Sequence, residues 1–283
     1  HLNTRVRELL EENESIVGIC LENGKKIFGD HVILATGGCS YPVPGSDGDG
    51  YQMARQVGIP VTTLRPALVP LVVKEDYIPM MQGLSLRNVE LTIRDKKKIL
   101  YNGFGELLFT HFGISGPLVL SASSFVGKKL GEGPLQATID LKPALTFEQL
   151  DQRLIREFEA ARNKQFKNAL GGLFPSKLVP VILALSEILP DKKVNEITRE
   201  ERQGFIRLMK SFPMTIVKTR GFGEAIITQG GIDTRSIHPS TMETKQLRNL
   251  HVIGEVLDLD ALTGGFNLQI AWSTAYAAVQ GIS

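Results

Sequence analysis

Three segments in which a strand-like run ends in glycine hold the residue types best suited to chemistry in this sequence. They are Ala35-Thr36-Gly37-Gly38, Gln229-Gly230-Gly231 and Gly254-Glu255. Glycines at the end of a buried strand let a ligand approach the backbone, and open α/β sheets bind ligands at the carboxyl ends of their strands. Each segment by itself is a weak signal, because glycines also end strands in plain turns.

The most informative stretch runs from Gly254 to Gln269. An acidic loop with Glu255 and Asp260 follows the strand, and Gly264-Gly265 then leads into an Ala-rich helix. Carboxylates at a strand end are suited to bind sugar or ribityl hydroxyls through charge-assisted hydrogen bonds. A bare helix N-terminus can stabilise negative charge, such as that on the N1–C2=O edge of a reduced flavin. A purely structural acidic turn is the alternative.

Two further motifs have structural explanations of equal or greater weight. The glycine-rich loop 45–50 opens a predicted helix and offers N–H groups to an anion, but Asp49 is also suited to cap that helix. His111 lies between aromatic residues and close to Ser115, so it is a candidate general acid or base. A histidine beside phenylalanines is more often part of a core. The five histidines and two cysteines show no metal-ligand spacing, and we predict no metal site.

The composition is that of an ordinary globular protein. The 283 residues are 42% hydrophobic and 22% charged, which predicts two or three compact units. The near balance of 32 basic and 30 acidic side chains argues against nucleic acid or an anionic membrane as the main partner. No apolar run is long enough to span a bilayer and no signal peptide is apparent. With only Cys20 and Cys39, these features favour the cytoplasm.

Apolar patterns indicate an α/β architecture with a long insertion. Residues 4–9 and 15–21 read as strands, and Asn23-Gly24 favours a hairpin turn. The runs at 31–35 and 250–253 do not alternate, as is typical of strands buried on both faces of a parallel sheet. Because both end in glycine and lie far apart in the sequence, they indicate one doubly wound domain interrupted by an insertion.

The insertion changes character near residue 146. Before it the pattern is β-like, and the lysines at 96–98 are predicted to form the solvated tip of a hairpin. After it, Thr146 and Thr198 each open a capping box and an amphipathic helix. We therefore predict an incomplete doubly wound domain from residues 1–65 and 216–283, an inserted β domain at 66–145 and an inserted helical domain at 146–215.

Several of these motifs together resemble a family of bacterial FAD-binding flavoproteins. The family is known as aminoacetone-oxidase-like, as NAD(FAD)-utilising dehydrogenases, or as relatives of a bile-acid dehydro-steroid reductase. The resemblance implies a glutathione-reductase-like FAD domain interrupted by β-barrel-like and helical units. It runs over essentially the whole chain and is carried by Val32–Gly38, Tyr41-Pro42, Gly48–Tyr51, Pro66–Leu71, Gly105–Pro117 and Gly254–Gln269.

The resemblance implies FAD as the cofactor and assigns its contacts. Val6 would contact the adenine edge, Thr36 and Gly37 would lie beside the pyrophosphate, and Glu255 and Asp260 would face the ribityl chain. The helix after Gly264 would place backbone N–H groups at the isoalloxazine, and a looser similarity to the fumarate-reductase class adds residues 229–231 at the flavin ring. The predicted cofactor-binding residues are Val6, Thr36, Gly37, Gly38, Gln229, Gly230, Gly254, Glu255, Asp260, Gly264, Gly265, Phe266, Asn267 and Leu268, with His111 as the catalytic candidate.

The sequence departs from the family in lacking a strand–Gly-x-Gly-x-x-Gly–helix segment. The chain begins inside a predicted strand and without Met, which is typical of a fragment. The sequence predicts an FAD-dependent oxidoreductase that acts on a small organic substrate by hydride transfer. Two alternatives stay open. One is a flavin reductase of an enone-type acceptor with NAD(P)H as electron donor, and the other is a flavin-free fragment with a binding or structural role.

Overall fold

The computed structural model describes residues 1–282, which divide into two compact units. The first, here called the discontinuous unit, joins His1–Val69 to the segment that starts at Arg220. The second, the barrel unit, is Pro70–Thr219. Within the described residues, none of the helices is both long enough and apolar enough to cross a membrane.

The discontinuous unit begins with a three-stranded antiparallel sheet. Strand β1 (Val6–Glu12) pairs with β2 (Ser15–Leu21), which pairs with β3 (Lys26–Phe28). At the first turn, Asn13 and Glu14 both have positive φ, 52° and 60°. Two successive residues of that conformation match the right-handed twist of the flanking strands, and asparagine tolerates the conformation well. The strand predicted at 15–21 is present with those bounds, whereas the one predicted at 4–9 begins at Val6 and continues to Glu12.

Three short elements follow before the chain enters the barrel unit. They are β4 (Val32–Leu34), helix α1 (Asp49–Gln56) and β5 (Arg65–Ala67). Arg5 forms ion pairs of 2.7 Å with both Asp47 and Asp49, which ties the start of β1 to the first turn of α1. An acidic residue in that turn also suits the positive end of the helix dipole.

Six strands close the barrel of the second unit. They are β6 (Leu71–Val73), β7 (Ser85–Asp95), β8 (Lys98–Phe109), β9 (Gly113–Ser115), β10 (Leu135–Asp140) and β11 (Phe212–Thr219). Their order is β10-β11-β6-β9-β8-β7, and β10 also pairs with β7, so the sheet closes on itself. All of these pairs are antiparallel. The β7–β8 hairpin turns at Lys96, with φ 53°, so the predicted lysine tip is confirmed.

Five helices complete the barrel unit. They are α2 (Pro117–Leu130), α3 (Phe147–Ala160), α4 (Phe166–Ala169), α5 (Val179–Leu185) and α6 (Arg199–Lys210). Thr146 and Thr198 cap α3 and α6, and in each case the side chain three residues later bonds back to the capping backbone N–H. Both predicted capping boxes are therefore confirmed, and each satisfies two helix-end donors that would otherwise lack a partner.

One hydrophobic core joins the barrel to these helices. It contains Leu91 and Ile93 of β7 together with Phe166 and Phe205 of the helices, whose rings meet nearly edge to face at 5.3 Å. Burial of each such side chain is worth about 1.5–3 kcal/mol. Residues 212–215, which the sequence assigned to the helical segment, belong to strand β11 and close the barrel.

The chain then returns to the discontinuous unit through β12 (Ile227–Gln229), β13 (Leu250–Val252) and helix α7 (Phe266–Ile282). Strand β12 pairs with β5 antiparallel, and β13 pairs with β4 in parallel. The two apolar runs thus lie side by side, as their pattern predicted. A doubly wound sheet has more parallel strands than these two, so the doubly wound architecture stays a prediction. Short 3₁₀ turns occupy Ile78–Met81, Val194–Glu196, Phe222–Glu224, Thr234–Ser236 and Gly254–Val256.

Candidate functional site

The parallel pairing of β4 and β13 brings two of the predicted glycine segments together. The Ile253 N–H donates to the Leu34 carbonyl at 3.1 Å, so both strands end at the same edge. The loops that follow, 36–40 and 254–260, therefore start side by side. Ligands of parallel sheets bind at this edge, where several loops converge.

Glu255 is the hub of the hydrogen bonds among these loops. Its Oε1 accepts from the Ser40 hydroxyl and from the Thr228 N–H, both at 2.8 Å. Its main-chain carbonyl accepts from the Tyr51 hydroxyl at 3.3 Å. The carboxylate of Glu255 thus links its own loop to the loop after β4 and to strand β12, and its main-chain carbonyl adds a link to helix α1.

Thr228 also holds the loop after β4. Its Oγ1 accepts from the N–H groups of Cys39 and Ser40, at 2.7 and 3.2 Å. The side chain of Thr228 is only 1% exposed. Because buried hydrogen-bonding groups are costly to leave unpaired, this hydroxyl fixes the loop in one position.

Gly38 is required by close packing against these same side chains. A Cβ at this position would meet Thr228 Oγ1 and would lie 2.6 Å from Glu255 Oε1. The close approach that excludes a larger residue at 38 is therefore made by the protein's own side chains.

Hydrogen bonds connect the acidic loop 254–260 with the glycine segment 229–231. Asp260 Oδ2 accepts from Gln229 Nε2 at 3.2 Å, and Asp258 Oδ2 accepts from the Thr62 hydroxyl at 2.9 Å. Thr62 Oγ1 in turn accepts from the Gly231 N–H at 3.0 Å. Burial raises the pKa of the Asp260 carboxyl above its usual range, although the bond from Gln229 acts in the opposite direction.

Helix α7 begins with free backbone donors next to open space. Its first backbone bond runs from the Gln269 N–H to the Gly265 carbonyl at 3.1 Å. The N–H groups of Phe266, Asn267 and Leu268 donate to no acceptor in the part of the chain that the structure describes. Gly265 has φ 87°, and a Cβ there would meet nothing within 4 Å.

The Asn267 side chain fixes the loop ahead of this helix. Its Oδ1 accepts from the Ala261 N–H at 2.9 Å and its Nδ2 donates to the Ala261 carbonyl at 2.8 Å. The start of the same loop is anchored to α7, where the Gly254 N–H donates to Thr274 Oγ1 at 3.0 Å. These bonds hold the start of α7 relative to the strand-end loops.

The remaining predicted residues lie outside this hydrogen-bonded cluster. Val6 is on β1 and lines a groove with Met53 of α1. His111 belongs to the barrel unit, where its exposed ring stands edge-on to Phe112 at 5.0 Å. The roles given to Val6 and His111, like the ligand contacts given to the other residues, stay predictions.

Sequence reasoning missed three side chains of the cluster. Ser40, Thr228 and Tyr51 supply hydroxyl groups to it. Their positions in the sequence could have indicated two of them, because Ser40 and Thr228 each lie within two residues of a predicted glycine. Within residues 1–282, no group of three or more His, Cys, Asp or Glu side chains is arranged to hold a metal ion.

Two curated proteins resemble the chain over nearly all of its length. The 3-dehydro-bile acid delta(4,6)-reductase of Clostridium scindens is 33% identical over 257 residues, which is 90% of this chain and 63% of that protein. The ribosomal RNA dihydrouridine synthase of Haemophilus influenzae is 33% identical over 278 residues, which is 98% of this chain and 66% of that protein. The chain thus spans just under two thirds of the length of each relative.

Among solved structures, GidA of Aquifex aeolicus in its form I crystal matches with 13% identity and a TM-score of 0.35, over 98% of this chain and 46% of that one. No common fold is inferred at that score. The family model described as the HI0933-like protein barrel and H2TH domain matches residues 65–227, which is more than half of the chain. This match includes the whole barrel unit. The chain therefore belongs to the HI0933-like family.

Proposed function

We propose that this chain binds FAD at the strand-end cluster and acts as a reductase of a C=C bond conjugated with a carbonyl group. The observation that carries the proposal is the convergence of three glycine segments, held by Glu255 and Thr228, beside a helix N-terminus with free donors. Bound FAD supplies hydride-transfer chemistry. The contribution of the chain is to bind and orient the cofactor.

The start of α7 fits the carbonyl edge of a flavin. The free N–H groups of Phe266, Asn267 and Leu268, together with the helix dipole, stabilise negative charge there. The absence of a side chain at Gly265 leaves room for a ligand to reach these donors. The loop bonds of Asn267 keep the donors in position before a ligand arrives.

The carboxylates fit the hydroxyl-bearing part of the cofactor. Glu255 uses Oε1 for protein contacts, so its Oε2 is the atom that would accept from a ribityl hydroxyl. Asp260 is half-buried and accepts from the Gln229 side chain, which orients it beside the same loop. Accepting hydroxyl donors at an ionised carboxylate is a strong type of hydrogen bond.

The names of the two relatives favour a reductase over an oxidase. One relative is named a delta(4,6)-reductase of a 3-dehydro-bile acid. The other is named for making dihydrouridine, which is uridine reduced at the C5=C6 bond of its base. In both substrates the reduced bond is conjugated with a carbonyl group, so one hydride-transfer chemistry would serve both. NAD(P)H is the electron donor that we propose, and a small enone is the substrate class.

An RNA base is a second candidate substrate. Residues 70–219 carry a net positive charge, whereas the rest of the chain is net negative. A basic unit attracts the phosphate backbone of RNA. This asymmetry, together with the name of the Haemophilus influenzae relative, favours the candidate.

The electron donor and acceptor can be tested in one anaerobic stopped-flow experiment with the FAD-loaded chain. We expect NADPH to bleach the flavin absorbance and a Δ4-3-ketosteroid to restore it. Bleaching by a primary amine but not by NADPH would replace the reductase with an amine oxidase. Restoration by a uridine-containing ribosomal RNA fragment, and not by the ketosteroid, would select the second candidate.

The role of the helix N-terminus can be tested with a matched pair of variants. Gly265→Asn and Gly265→Asp introduce side chains of the same shape at the same positive φ, and both residue types tolerate that conformation. They differ in charge. We expect Gly265→Asp to weaken FAD binding by about tenfold relative to Gly265→Asn, because a carboxylate there opposes the negative edge of the cofactor. Equal affinities would remove this end of α7 from the site.

A further inference from the structure

The tip of the β7–β8 hairpin and the end of helix α2 together form a basic patch. The last turn of α2 carries Lys128 and Lys129, and the two elements meet where Lys129 Nζ lies 4.0 Å from Asp95 Oδ2. The hairpin adds one arginine and three lysines around its turn. The basic side chains of the patch are Arg94, Lys96, Lys97, Lys98, Lys128 and Lys129.

Lys129 binds both acidic groups beside this patch and leaves the other cations without one. In addition to its contact with Asp95, its Nζ lies 2.6 Å from Glu132 Oε2. Within residues 1–282, the other five basic side chains of the patch form no ion pair with a carboxylate, and all five are exposed. A lysine-rich turn by itself is an ordinary solvated tip, but here the fold brings a second cationic element beside it. Such a concentration of one sign of charge attracts an anionic partner.

An exposed aromatic ring lies on the same face of α2 as the two lysines. Phe125 precedes Lys128 and Lys129 by three and four residues, which places the three side chains on one helix face. The Phe125 side chain is 53% exposed, and its ring packs against that of Tyr101 on β8 with 5.5 Å between the centroids. The contact with Tyr101 positions the ring and leaves much of it open to solvent.

We propose that the basic patch binds a single-stranded segment of RNA, with phosphates at the lysines and one unpaired base stacked on Phe125. Lysine side chains bind the phosphate backbone, and aromatic side chains stack on unpaired bases. The combination favours a nucleic acid, because these two contacts are how proteins bind single strands without reading their sequence. The inference deepens the second candidate of the proposed function and rests on it for the choice of RNA, but the binding requires no flavin.

The test uses the whole chain without FAD and a fluorescein-labelled uridine RNA of about ten nucleotides. Binding is measured by fluorescence anisotropy at several salt concentrations. The double variant Lys97→Glu with Lys128→Glu removes one cation from each element of the patch. We expect it to bind at least about tenfold more weakly and to have a shallower salt dependence, by about 0.7 in the logarithmic slope for each lost phosphate contact. Absence of RNA binding by the wild-type chain would overturn the proposal.

A matched control reverses two exposed cations of the barrel unit that lie on other elements. Arg156→Glu with Lys193→Glu changes the net charge by the same amount, and in the described part of the chain neither side chain has an ion-pair partner. We expect this pair to weaken binding by less than about threefold, because charges more than about 8 Å from the RNA are screened at physiological salt. A loss equal to or larger than that of the patch variant would contradict the proposal.

The aromatic contact is tested separately with Phe125→Leu and Phe125→Trp. Leucine keeps an apolar side chain without a π face, so we expect RNA binding to weaken by about tenfold, whereas tryptophan should retain it. Equal binding by the two variants would show that no base stacks at this position and would contradict the proposal.

A membrane surface is the other anionic partner to be excluded, with phosphatidylglycerol vesicles. If the chain binds these vesicles and not the RNA, the proposal is wrong. Reduction of the flavin by NADPH is measured without RNA, so a failure there would remove the proposed flavin chemistry and leave the result on RNA binding unaffected.

Discussion

Thr228 makes its largest contribution through one oxygen atom. Its Oγ1 accepts from two backbone N–H groups of the loop after β4. Thr228→Val keeps the shape of the side chain but leaves both N–H groups unpaired, so we expect a loss of about 3 kcal/mol in the free energy of unfolding. Thr228→Ser keeps the hydroxyl and should cost about 1 kcal/mol for the lost methyl group.

Urea unfolding of the two Thr228 variants can be followed by tryptophan fluorescence. The sequence has one tryptophan, Trp272, and it lies in the same unit as Thr228. Equal losses for the valine and serine variants would show that the hydroxyl does not hold the loop.

The raised pKa of Asp260 should make the free energy of unfolding depend on pH. Burial raises its pKa in the folded protein, so folding favours the protonated carboxyl. The contribution of Asp260 to stability is therefore fully present below the unfolded pKa and is lost as the pH rises through the folded pKa. Asp260→Asn keeps an acceptor for Gln229 and does not ionise.

We therefore expect Asp260→Asn to melt at a higher temperature than the wild type at pH 7. The difference should disappear as the pH falls to about 4, near the usual pKa of Asp. Asp233→Asn is the control of opposite sign, because Arg235 lowers the pKa of Asp233. That variant should be less stable than the wild type at pH 7. A pH-independent difference for Asp260→Asn would contradict the account.

At the residue scale, the sequence identified the loops of the cluster better than the bonds within them. Gly38, Gln229, Glu255 and Asp260 were expected from strand-end patterns, which are local. The bond from the Cys39 N–H to Thr228 joins residues 189 positions apart. A hydroxyl within two residues of a strand-end glycine marks a candidate loop residue, but the local sequence does not show which distant group it will bond.

Helix α7 is the element whose exposure is least typical of a folded domain. Leu268, Trp272, Tyr276 and Val279 recur at helical spacing, and each is more than half exposed. Exposed apolar patches of this kind bind hydrophobic dyes or other proteins. We expect the double variant Leu268→Lys with Tyr276→Lys to lower binding of an anilinonaphthalene dye while the helical circular dichroism stays unchanged.

The matched control for α7 changes two exposed apolar side chains of the barrel unit. Phe104→Lys with Leu189→Lys should change dye binding much less, because Phe104 lies on β8 and Leu189 lies in the loop after α5, so they form no stripe. An equal drop for both pairs would mean that the α7 stripe is not a distinct surface.

At the element scale, helix starts and hairpin turns were predicted correctly where a few neighbouring residues determine them. The capping boxes at Thr146 and Thr198 and the hairpin tip at Lys96 were all expected from spacing alone. Strand β11 was missed over 212–215 because it directly follows α6, and its strand partners β6 and β10 lie far away in the sequence. The alternation of apolar residues at Phe212, Met214 and Ile216, all of which are buried, is the sequence pattern that indicates this strand.

At the scale of the whole molecule, the barrel unit should fold when it is cut out of the chain. Its first and last strands pair with each other, with Leu71 opposite Thr219, and one core joins all its elements. We expect residues 70–219 alone to unfold cooperatively in urea with native near-UV circular dichroism. Loss of both features would mean that the unit depends on the rest of the chain.

We propose that the strand-end cluster of the discontinuous unit binds FAD. The visible absorption spectrum of the purified chain, recorded after incubation with FAD and gel filtration, tests this binding. We expect flavin bands that co-elute with the protein in nearly equal molar amounts. A colourless protein that retains no FAD would show that the cluster does not bind the cofactor.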